Sequence, residues 1–128
     1  MDLSARYPAL VEHLDVGLVE RALVRLNALA ERVVELDNQM NEMQARGMVQ
    51  ATPYWRDQRY LYLVHQQLDG QRKREYIGKD KHKQAAALQR VENWHQYQKL
   101  DQEHKRAQGN LEYWIRELCL SLSRIGGE

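Results

Sequence analysis

The sequence predicts a mainly α protein: a long coiled-coil-like helix, a β-hairpin, then two helices. Three observations lead to that class. Gly (7) and Pro (2) are scarce in 128 residues, so long stretches contain no helix breaker. From Val19 onward, apolar residues recur at alternating steps of three and four, the spacing of a helical seam. Between residues 59 and 78 the pattern changes to aromatic and branched residues around an Asp-Gly pair, the signal of a hairpin. A chain of 128 residues is the size of one ordinary domain, and a single domain over 1–128 with a modest core is expected.

The first helix is expected over 8–46. Pro8 is tolerated in a first turn, where its missing N–H costs nothing, and Gly47 suits the stop. The seam reads Val19, Ala22, Leu26, Leu29, Val33, Leu36, Met40, Met43, about three and a half heptads. Leu23, Ala30 and Val34 widen it into a stripe that fits a bundle better than a bare zipper. A helix of this span is on the order of 55 Å long, more than a compact domain of this size needs. A homodimer is therefore expected, with Leu26, Leu29, Val33, Leu36, Met40 and Met43 as its seam.

The hairpin is expected over 59–78. Tyr60-Leu61-Tyr62-Leu63-Val64 favours a strand, and Asp69-Gly70 fits a two-residue type I′ turn. That turn sets the register: His65 opposite Arg74, Leu63 opposite Tyr76, Tyr62 opposite Ile77. Tyr76 and Ile77 then belong to an apolar root held on the helices, with a polar, basic tip beyond. Helices over 80–107 and 110–125 are expected to follow. Asp80 is an N-cap for the first, and Gly109-Asn110 a stop and fresh cap before the second.

Charge is segregated. Between Gln71 and Lys83, six cations (Arg72, Lys73, Arg74, Lys79, Lys81, Lys83) face two carboxylates, a balance of +4 that leaves −3 of the chain's net +1 for the remainder. A local field of this sign attracts phosphates, and a two-stranded ribbon is narrow enough to enter a DNA major groove. In the expected register Arg72 and Arg74 share a face near His65 and Gln67, with Lys73 behind them and Lys79, Lys81 and Lys83 at the helix start. The nucleic-acid-binding set is thus Arg72, Lys73, Arg74, Lys79, Lys81, Lys83 and His65. Tyr54, Trp55, Tyr60, Tyr62 and Tyr76 interleave with cations, which suits base stacking, although strand alternation alone accounts for Tyr62 and Tyr76 as root packing. An exposed hairpin tip also carries Lys and Arg simply to guard a strand edge.

Other chemistry is poorly represented. The five histidines form no HExxH or i,i+4 pair, and Cys119 is the single cysteine, so neither a metal site nor a disulfide framework is expected. Gly78-Lys79 lacks the spacing and the Ser/Thr of a phosphate loop. No nucleophile, base and stabiliser converge in pattern, so no enzyme and no cofactor are expected. The N-terminal MDLSARYPALVEH lacks the basic and apolar regions of a signal peptide, and no window approaches ~18 apolar residues. A cytoplasmic protein with no membrane partner is expected.

The run from Thr52 to Asp80 resembles a segment found in proteins of mobile genetic elements and near the start of some transposases. The residues that carry the resemblance are Tyr60, Tyr62, Leu63, Gly70, Arg72, Tyr76, Ile77, Gly78 and Lys79, followed by a polar helix. It covers about a quarter of the chain and implies a DNA-associated setting for the hairpin. The Cys pair that often precedes the first strand in such segments is missing, so the resemblance implies no metal. The expected function is a non-enzymatic nucleic-acid-binding accessory protein whose dimer presents two basic hairpin tips to DNA. The alternative is an adaptor or inhibitor, of plasmid or phage type, whose helices and basic hairpin bind an acidic protein partner.

Overall fold

The computed structural model describes residues 3–6, 16–66 and 70–126. In chain order the elements are α1 (Leu3–Arg6), α2 (Val16–Arg46), β1 (Ala51–Arg56), β2 (Tyr60–Gln66), β3 (Arg72–Gly78) and α3 (Lys81–Ile125). The class is predominantly α, as expected. The expected helix start near Pro8 lies outside the described residues. The chain divides into two compact units: Leu36–His104, which holds the sheet, and Met1–Glu35 with Lys105–Glu128, whose described residues are almost all helical.

Helix α2 ends where glycine permits it. Gly47 adopts φ 92° and donates its N–H to the Gln44 carbonyl at 3.2 Å, closing the last turn. The chain is then tied to α3. Asn93, 5% exposed, donates from Nδ2 to the Gly47 carbonyl at 2.9 Å and accepts from Gln89 Nε2 at 2.9 Å. The Val49 N–H donates to the Arg90 carbonyl at 3.1 Å.

The hairpin is the larger part of a three-stranded antiparallel sheet in the order β1-β2-β3. Strand β1 was not expected, because Pro53 breaks a strand pattern. It is accommodated because β1 is an edge strand, where a missing N–H need not cost a ladder bond. The β1–β2 connection is a three-residue loop, Asp57 to Arg59, with positive φ at Asp57 (54°) and Gln58 (58°), the φ signs of a type I′ turn; Asp69 of the expected Asp69-Gly70 turn lies outside the described residues. One face of the sheet is closed by α3. Leu61 and Leu63, both 0% exposed, pack with Ala87 and Val91, and Val49, Ala51, Ile77 and Leu88 surround them. Burying each leucine contributes about 1.5–3 kcal/mol.

The β2–β3 register differs from expectation by one residue. His65 pairs with Lys73, Val64 with Arg74, Leu63 with Glu75 and Tyr62 with Tyr76, until a bulge restores Leu61 opposite Gly78. Five residues thus separate Gln66 from its partner Arg72, where a two-residue Asp69-Gly70 loop would have set a different pairing. A one-residue slip turns each side chain to the other face of the sheet. Tyr76 is consequently not part of the apolar root: it is 59% exposed on the face away from α3, while Ile77, displaced by the bulge, packs on the core.

The two helices expected over 80–107 and 110–125 are one. Helix α3 runs unbroken from Lys81 to Ile125 through Gly109 and Asn110. The Gln108 Nε2 to Glu112 Oε1 bond, 3.2 Å and one turn apart, bridges the expected break. Its N-cap is the expected one: Asp80 Oδ1 accepts from the His82 N–H at 2.9 Å.

Candidate nucleic-acid interface

Strand alternation sorts the sheet into two faces. The closed face carries Leu61 and Leu63. The open face carries Thr52, Tyr54 and Arg56 from β1, Tyr60, Tyr62 and Val64 from β2, and Arg72, Arg74 and Tyr76 from β3, as the pairings Tyr54–Tyr62, Tyr62–Tyr76 and Val64–Arg74 require.

On the open face three tyrosines form a ladder across the strands. The Tyr54 and Tyr62 ring centroids lie 6.4 Å apart at 57°, and those of Tyr62 and Tyr76 5.1 Å apart at 53°, within the range of favourable tilted aromatic pairs. The central ring is half-buried, whereas Tyr54 is 50% and Tyr76 59% exposed. Two guanidiniums lie over these rings. Arg56 Cζ is 5.4 Å from the Tyr60 centroid and 5.8 Å from that of Tyr62, and Arg74 Cζ is 5.8 Å from that of Tyr54. Cation–π attraction holds each charge beside an aromatic surface while leaving it in water.

The expected site residues separate into three groups. Arg72 and Arg74 are exposed on the open face. His65 and Lys73 pair on the opposite face, where His65 Nε2 lies 2.8 Å from Glu75 Oε2, so His65 is not brought together with the two arginines. Lys79, Lys81 and Lys83 are exposed at the passage from β3 into α3. Gln67 lies outside the described residues. That passage is fixed by Gln84, whose Nε2 donates at 2.8 Å to the carbonyls of both Arg59 and Gly78. The side-chain amide thus joins the first turn of α3 to the β1–β2 turn and to the end of β3.

Arg56 is the member that sequence reasoning missed, and Tyr54, named for base stacking, was not placed on a strand. Their signal is the alternation Thr52, Tyr54, Arg56, which places all three on one face once β1 is recognised as a strand.

In the helical unit, seam residues Leu26 and Leu29 line a groove of about 630 Å³ with Leu18, Trp114 and Leu118. Leu36 and Met40 are buried within the chain, and Val33 and Met43 are half-buried. Among the described residues no cluster of three or more His, Cys, Asp or Glu could hold a metal ion, and no helix is long and apolar enough to cross a membrane. No protein-family model, curated protein or solved structure matches the chain.

Proposed function

We propose that this is a non-enzymatic nucleic-acid-binding protein that meets its ligand with the open face of the sheet. The observation that carries the reading is the tyrosine ladder with Arg56 and Arg74 over its rings. Folding alone gains little from leaving Tyr54 and Tyr76 half in water, since apolar area left exposed forfeits about 25 cal/mol per Å². Aromatic faces and guanidiniums are the groups that meet bases and phosphates. Arg72 adds a third cation on the same face, and Lys79, Lys81 and Lys83 supply phosphate contacts at its margin. The DNA-associated setting implied by the mobile-element resemblance agrees with this reading. Relative to the sequence expectation, contact moves from the hairpin tip to the sheet face, and His65 leaves the binding set.

The test is a titration of DNA over a salt series, with the wild type and an Arg72→Glu/Arg74→Glu variant. The wild-type affinity falls linearly on a log–log plot as salt rises. The variant's slope is shallower by roughly 0.7–0.9 log units per log unit of salt for each phosphate contact removed, and it binds more weakly at low salt with unchanged helicity. Salt-insensitive binding, or a variant that binds like the wild type, refutes the reading and leaves the basic face to an acidic protein partner.

We also propose a homodimer, through the edge of the expected stripe on α2 rather than through its centre. Leu36 and Met40 are buried within the chain and Leu26 and Leu29 are half-buried along the groove, but Val19, Leu23 and Val34 are exposed. With Asn27 and Ala30 these residues continue in steps of three and four, the repeat a second helix matches. A second copy would double the binding faces and gain affinity through effective concentration alone.

A further inference from the structure

We infer that the ligand is single-stranded, with bases stacked on Tyr54 and Tyr76 and its backbone running across the three strands from β1 to β3; this rests on the nucleic-acid reading above. The inference comes from which part of a base each kind of nucleic acid leaves open. In a duplex both faces of every base are covered by its neighbours, and the grooves offer only edges, which are read by hydrogen-bonding side chains. In a single strand the faces are free, and aromatic side chains stack on them with little regard to sequence.

The open face is built for the second case. Its centre is aromatic rather than hydrogen-bonding: Tyr54, Tyr62 and Tyr76 occupy matched positions on the three strands. The outer two are the exposed ones, and each is tilted by more than 50° from the central ring, so their planes are not sealed against it. Tyr62 fixes both outer rings from between them, so they are preorganised before a base arrives, and a tyrosine has few torsions left to lose. The ladder runs perpendicular to the strands, which sets the path of the ligand. Two strand spacings, ~9.6 Å, separate β1 from β3, and sheet faces of this kind stack two or three bases. Arg74 beside Tyr54 and Arg56 beside Tyr62 stand where the phosphates between stacked bases must pass. Base stacking recognises DNA and RNA alike.

The experiment measures fluorescence anisotropy with four labelled probes: a ten-nucleotide oligothymidylate, an abasic strand of the same length, a ten-nucleotide oligouridylate and a blunt DNA duplex. Removing one stacked base's platform weakens binding by roughly 5- to 150-fold. The inference expects a based strand to bind at least 5-fold tighter than the abasic strand and tighter than the duplex. Tyr54→Leu and Tyr76→Leu should each weaken the based strands within that range without changing abasic binding, and Tyr76→Phe should bind like the wild type. A preference between thymidylate and uridylate names the source. If the abasic strand or the duplex binds as tightly as the based strands, or if both leucine variants bind normally, the inference is overturned while the nucleic-acid reading stands. If no probe binds, that reading falls and takes the inference with it.

Discussion

Asn93 holds together the place where α2 ends and the sheet begins. Its side chain is almost fully buried, donating to the Gly47 carbonyl and accepting from Gln89. Asn93→Ala removes both bonds and leaves the half-buried Gly47 carbonyl without its side-chain partner, for a loss of about 1–3 kcal/mol in urea unfolding. A change below ~0.5 kcal/mol would mean that the amide is not a structural tie. The sequence offered no sign of this role, because an Asn within a polar helical run looks like a solvated residue until a distant carbonyl is placed beside it. The face on which Tyr76 lies was equally hidden. It depends on a bulge at Ile77 and on Gly78, whose φ of 101° suits glycine. Residue types placed Tyr76 in a strand, but only the register decided its face.

At the scale of elements, what local pattern controls was readable. The helical period of α2, its end at Gly47, both hairpin strands and the Asp80 cap follow from spacing and capping chemistry. What context decides was not. Gly109-Asn110 has the composition of a stop and a cap, yet strong helix formers on both sides and the Gln108–Glu112 bond carry α3 through it. Strand β1 was concealed by Pro53 and by a turn, Asp57-Gln58, with no glycine to announce it. Of the expected heptad seam, Leu36 and Met40 are buried, Leu26, Leu29, Val33 and Met43 are half-buried, and Val19 is exposed. That difference carries a prediction for α2. Sedimentation of the wild type should show a concentration-dependent dimer, and Leu23→Glu/Val34→Glu should give a monomer with intact secondary structure. A wild type that is monomeric at every concentration contradicts the proposed pairing.

At the scale of the whole molecule, the proposed binding depends on charge as much as on shape. On the proposed reading, the +4 of residues 71–83 against −3 elsewhere would draw a polyanion to that segment although the chain as a whole is nearly neutral. The sequence displayed this segregation directly. It did not show that Arg72 and Arg74 share a face with Arg56, Tyr54 and Tyr76, because that face exists only after three strands are in register. The most direct test of the central claim is to map amide chemical-shift changes on adding a short single-stranded oligonucleotide. The account predicts that shifts concentrate at Tyr54, Arg56, Tyr62, Arg74 and Tyr76. Shifts confined instead to the groove around Leu26, Trp114 and Leu118, with the sheet unperturbed, would contradict it.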